Sequence, residues 1–127
     1  EIYADVSLKR TGANAAPVRC TLRNWWELSG VGELCRELFP VGEGSHATAS
    51  EVSVTYAAFP EAIKRVEMSP KIAPTGPILD ADDYRRRFPD GRIGSDPSQA
   101  TPEKGERIIA AAAKALIADY GRFLAAD

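Results

Sequence analysis

The chain has a single histidine, His46, and it opens the stretch HATASEVSVTYAAFP. Imidazole is the side chain best suited to carrying a proton near neutral pH. Glu51, five residues on, adds a carboxylate that could flank the same pocket, and Glu43 adds a second one in the loop before. The pattern HxxxxE is permissive, however. His46 reads equally well as a residue at a helix end, and the two glutamates as solvated charge. Both tryptophans are adjacent, Trp25 and Trp26. Neighbouring helical positions point about 100° apart, so one ring can enter a core while the other walls a cleft, unless both simply pack. With one histidine and two cysteines, Cys20 and Cys35, the chain can contribute a metal ligand but has no metal knuckle of its own. No GxxxxGK[ST], GxGxxG or HExxH pattern occurs.

These residues must be held by the elements around them. Residues 1–17 could form an amphipathic segment, which Thr11, Gly12 and Asn14 interrupt and Pro17 closes. Residues 18–22, VRCTL, favour a strand. Asn24 can cap a helix over residues 25–39. There Leu28, Val31, Leu34, Cys35 and Leu38 recur at threes and fours, Gly30 and Gly32 predict a break, and Pro40 ends the pattern. Ser45 is a fitting cap for a small-residue helix from His46 to about Ala58. That start places His46 in the first turn, at the positive helix end, where the neutral imidazole is favoured. Glu51 then lies about 140° further round the helix. Residues 61–100 are rich in proline and glycine and keep no period, and a long stretch of that kind usually serves function or a partner. The last element is the clearest. Thr101 caps, Pro102 takes the first helical position, and Ile108, Ala112, Leu116, Tyr120 and Leu124 repeat at fours.

Composition bounds the function class. At 127 residues, 44% hydrophobic and 27% charged, the chain suits one soluble domain. A net charge of −2 leaves no basic footprint for nucleic acid. The run YRRRF follows LDADD and reads as a solvated turn whose field is cancelled locally. No apolar run approaches the ~18 residues that span a bilayer. Cys20 and Cys35 read as buried free thiols in a reducing, cytoplasmic compartment.

The order of the pieces carries a resemblance. NWWEL, LFP, GEGSHATASEVSVTYAAFPEAI, a proline-rich loop and GRIGSDPSQATPEKGERII, over residues 18–124, resemble the C-terminal half of the creatininase (creatinine amidohydrolase) family. The final run is the most specific part and the histidine segment the next. The resemblance implies a three-layer α/β/α fold, a single but incomplete domain over residues 1–127, and a metal-dependent amidohydrolase. Such an enzyme cleaves a non-peptide C–N bond of a cyclic amide or formamide-like small molecule. It implies a divalent metal, zinc or manganese, liganded mostly outside this chain. The ligands and the missing strands would come from the N-terminal half or a second chain, in a hexamer-type homo-oligomer. His46 matches the family's proton-transfer histidine, Glu51 a carboxylate reaching toward the metal, and Trp26 a wall of the substrate pocket, with Glu43 beside it. This chain has H-A-T where the family has H-A-G, E-V-S where it has E-T-S, and Ser95 within the GDP run. Gly42 stands where creatininases proper carry a tryptophan over the substrate, which argues against creatinine itself. These departures keep a second expectation open, a non-catalytic interaction or regulatory chain on the same fold. A peptide-processing relative is the third.

Overall fold

A computed structural model describes residues 20–126. Among the described residues there are four α-helices: α1 (Val31–Leu38), α2 (Ala49–Ala58), α3 (Ala81–Arg87) and α4 (Pro102–Ala125). Single 3-10 turns lie at Trp25–Glu27, Pro60–Ala62 and Pro97–Gln99. Among the described residues there is no strand, only one antiparallel bridge between His46 and Ile93. The expected strand at 18–22 is not formed over residues 20–22, and its first two residues lie outside the described part. The segment expected over residues 1–17 lies outside it as well.

The predicted helix over residues 25–39 is split, as its glycines suggest. The 3-10 turn at the tryptophans ends at Leu28, and Gly30 (φ +81°) turns the chain into α1. The apolar stripe of that region then faces inward. Leu28, Val31, Cys35 and Phe39 form a buried core with Ala49 of α2 and Ile108 of α4. Burial of Cys35 matches the sequence reading, whereas Cys20 is exposed because no strand forms around it.

Helix α2 starts three residues later than expected. Its cap is Thr48, whose hydroxyl accepts from the Glu51 N–H, while the Glu51 carboxylate accepts from the Thr48 N–H. This reciprocal capping box outcompetes Ser45, because two orphan amides are satisfied at once. His46 therefore lies outside the helix, two residues before its cap, and not in the first turn. The small residues of α2 do permit a close crossing, as expected. Ala49, Ser50 and Ser53 are buried, and Gly105 of α4 sits directly against the Ser53 backbone.

The region from 61 to 100 is less irregular than its composition implies. LDADDYRRRF is helix α3 rather than a turn: the Asp80 carboxylate accepts from the amides of Asp82 and Asp83 and nucleates it. Buried Asp83 binds Arg86 and Arg87, and Arg87 also holds the carbonyls of Thr75 and Pro77. Arg92, 4% exposed, is a second hub, donating to Asp90 and to the carbonyls of Pro70, Lys71 and Ser95. Helix α4 begins as predicted, with the Thr101 hydroxyl accepting from the Lys104 N–H. Ile108 is buried, and Ala111, Ala112 and Ala115 pack on the core, but Leu116, Tyr120 and Leu124 are about half exposed at 47%, 58% and 56%. No described helix is long and apolar enough to cross a membrane.

Candidate active site

The run GRIGSDPSQ, the most specific part of the sequence, acts as a backbone clamp on the loop before α2. Ser45 N–H donates to the Ile93 carbonyl at 2.9 Å, and Asp96 N–H to the Gly42 carbonyl at 2.7 Å. The His46 carbonyl accepts from Ile93 N–H and from the Ser95 hydroxyl, the latter at 2.8 Å. Gln99 reaches the Val41 carbonyl at 2.9 Å. Gly44 lies so close to this clamp that a Cβ there would stand 2.4 Å from the Ile93 carbonyl oxygen. Asp96 and Ser95, both fully buried, keep the clamp in shape, with the Asp96 carboxylate accepting from the amide and hydroxyl of Ser98. The loop carrying Glu43 and His46 is thus fixed by main-chain bonds rather than left free.

Between this loop, the tryptophan turn and the start of α2 lies a cleft of about 320 Å³. Its walls are Trp25, Trp26, Glu43, Gly44, Ser45, Thr48, Ser50 and Glu51. Three residues singled out in the sequence, Trp26, Glu43 and Glu51, meet there from three separate segments. The two indoles stand edge to face, with centroids 5.6 Å apart at 87°. Trp25 is half-buried and Trp26 is 50% exposed, so one ring backs the other toward the opening.

Both carboxylates are anchored by one oxygen to the positive end of α2, where unpaired amides attract anions. Glu43 Oε2 accepts from the Ser50 N–H at 3.2 Å, and Glu51 Oε2 from the Thr48 N–H at 3.0 Å. The Thr48 hydroxyl lies 3.2 Å from Glu51 Oε2 and 2.9 Å from the Ser50 hydroxyl. Among the described residues, no hydrogen-bond partner engages the other oxygen, Oε1, of either glutamate. Behind this network, burial pushes the Cys35 thiol up, and the charge of Glu43 adds to that, outweighing a hydrogen bond with Ser50 and the nearby Arg36.

His46 does not line the cleft. Its side chain is exposed, between cleft residues Ser45 and Thr48, and the following Ala47 takes a left-handed conformation with φ +51°. Only a few per cent of non-glycine residues do so. Ala47 turns the chain from the bridge at His46 into the cap at Thr48 and lines a second groove, separate from the cleft. The sequence reading misses Thr48, Ser50 and the pairing of Trp25 with the cleft. The T-x-x-E spacing from Thr48 to Glu51 is the available signal for the first.

A divalent metal was expected mostly outside this chain. Among the described residues, no three His, Cys, Asp or Glu side chains converge, and every buried side-chain polar atom has a partner. A family model described as creatinine amidohydrolase, the creatininase family, matches residues 3–120. No curated protein matches the chain.

Proposed function

Because the chain belongs to the creatininase family, we propose that the cleft between the tryptophan turn and α2 is one wall of an amidohydrolase active site. The observation that carries this reading is the meeting of Trp26, Glu43 and Glu51 in one cleft from three separate segments, the tryptophan turn, the loop before α2 and α2 itself. The substrate is a small cyclic amide or formamide-like molecule, and the bond cut is a non-peptide C–N bond. Trp26, half exposed at the opening, shapes the pocket and excludes water from one side of the substrate. Glu43 and Glu51 present their Oε1 atoms, which can orient donors on the substrate. His46, exposed beside the cleft and not in its wall, carries the proton to or from the reacting amide once the parts of the site outside residues 20–126 are in place. Its neighbours Ser45 and Thr48 already line the cleft, and its backbone is held by Ile93 and Ser95.

A metal, zinc or manganese, belongs to this reading on family grounds, with Glu51 as one ligand and the rest drawn from outside residues 20–126. The same holds for the strands of a three-layer α/β/α domain. Leu116 and Tyr120 of α4, about half exposed, support a further layer or a partner chain there, including copies in a homo-oligomer. One observation favours the second reading, a non-catalytic interaction chain on this fold: Glu51 already serves as the capping carboxylate of α2.

The test is hydrolysis of a panel of lactams and formamides by the intact assembly that contains this chain, with and without added zinc or manganese. The panel includes short peptides, to detect a peptide-processing relative. Turnover is expected with the small amides, and His46→Ala should lower it by about 10² or more, the range of general acid–base effects. Thermal unfolding should not move, since the side chain is exposed. Turnover at the wild-type rate in that variant removes His46 from the chemistry. No hydrolysis of any panel member, with no bound metal in the intact assembly, favours the regulatory reading instead.

A further inference from the structure

The charge and shape of the cleft point to a substrate property that family membership leaves open. Among the described residues, its lining holds two indole rings and two carboxylates, and no Arg or Lys. One oxygen of each carboxylate is taken by the amides at the start of α2, which fixes the group without neutralising its other oxygen. The Trp26 ring stands at the mouth, half exposed, and Trp25 meets it edge to face, so the two rings form a corner rather than a flat stack. An aromatic corner closed by carboxylates attracts a compact cation. Indole is the best of the aromatic faces for this, and alkylated ammonium groups are the ligands such cages take. At about 320 Å³ the space is at the small end of ligand pockets, enough for a metabolite-sized molecule.

We propose that the cleft binds an alkylammonium group, seated between the Trp25–Trp26 corner and Glu43, and that the amide substrate carries this cation beside its scissile bond. The proposal rests on the reading of the cleft as the substrate site. Glu43 is the selective anion, since Glu51 is also needed to cap α2. A neutral molecule of the same shape keeps the apolar contacts with the indoles but leaves Glu43 without its counter-charge.

The experiment uses the two tryptophans as reporters. They are the only two in the chain and both line the cleft, so intrinsic fluorescence reads this site. The full chain is titrated with choline and, separately, with neohexyl alcohol, its uncharged carbon isostere. Choline should change the emission and bind at least about tenfold more tightly than the alcohol, with affinity falling as salt rises. Glu43→Gln should bring the two ligands to within about a factor of two. Trp26→Leu should weaken choline binding while Trp25 still reports. Equal affinity for choline and the alcohol, or an undiminished choline preference in Glu43→Gln, overturns the proposal. Amide hydrolysis without any cation preference overturns the proposal and leaves the amidohydrolase reading standing. Cation preference without hydrolysis of any amide, ammonium-bearing ones included, supports a cation-binding cleft and sinks the enzymatic reading.

Discussion

Replacing Gly105 by alanine should destabilise the protein, although alanine is the better helix former. In a helix interior, glycine to alanine gains about 1 kcal/mol from propensity alone. Gly105, however, is where α4 crosses α2. A Cβ there would stand 2.0 Å from the Ser53 carbonyl oxygen, 2.5 Å from its carbon and 2.9 Å from the Ala57 Cβ. Ordinary contact needs about 3.5 Å, so the helices must part by more than an ångström. Two of those three atoms are backbone and cannot rotate away. The same movement strains the bond from the Thr101 N–H to the Ser53 hydroxyl, which joins the cap of α4 to α2 at 3.2 Å. Overpacking costs about 1–3 kcal/mol. With a backbone clash at the upper end of that range, the net loss after the propensity gain is about 2 kcal/mol. For a domain near 100 residues that lowers the midpoint of thermal unfolding by about 10 °C. Gly121, in the same helix, serves as the control, because a Cβ there would meet nothing within 4 Å. Gly121→Ala should raise the midpoint by a few degrees. Calorimetry or circular dichroism melts of the two variants decide the matter. A Gly105→Ala protein as stable as wild type would refute the close crossing as the organising contact of the fold.

Three further outcomes follow from the same contacts. Thr48→Ala should cost about 1 kcal/mol in urea unfolding, as the loss of a cap does, and Thr48→Ser should restore most of it. Arg92→Leu should cost about 3 kcal/mol, because it strips partners from three backbone carbonyls at 70, 71 and 95. Burial alone would raise the pKa of Asp90, but hydrogen bonds and charge from Arg92 outweigh it and hold the carboxyl below its usual range. A carboxyl depressed in the folded state adds stability above its unfolded pKa of about 3.9 and loses it as pH falls through the lower folded value. The stability difference between wild type and Arg92→Leu should therefore be steady above about pH 5 and shrink below about pH 4. A constant difference across that range would show that the Asp90–Arg92 pair contributes nothing.

What is legible in the sequence, and what is not, divides along physical lines. Helix α4 is clear because Thr101, Pro102 and a long apolar repeat all agree on it. The break at Gly30 and the inward stripe of Leu28, Val31 and Cys35 are legible for the same reason, one local rule supporting another. The start of α2 is easily misplaced because Ser45 and Thr48 are both competent caps, and only the carboxylate three residues after Thr48 separates them. Helix α3 reads as a turn because its seven residues are too few to show a period; the signal for it is the Asp80 cap. The strand expected at residues 18–22 rests on β propensity, which depends on neighbours to pair with, and none is present among the described residues. For the site, residue types offer the tryptophan pair, Glu43 and Glu51 only as candidates, and the family resemblance is what singles out Trp26 and Glu51 among them. Their convergence depends on the clamp between residues 93–96 and 42–46, a long-range set of main-chain bonds that no local pattern encodes.

The central claim, that this cleft is where an amide is hydrolysed, is tested most directly at Glu51. Glutamine at that position keeps the capping box, since either residue serves there, and removes only the charge presented to the cleft. Thermal unfolding of Glu51→Gln should match wild type to within a few degrees. Turnover of the best amide substrate found for the intact assembly should fall by about 10² or more, the scale on which a positioned catalytic group contributes. Unchanged turnover in a Glu51→Gln protein of wild-type stability would contradict the assignment of the cleft as the active site.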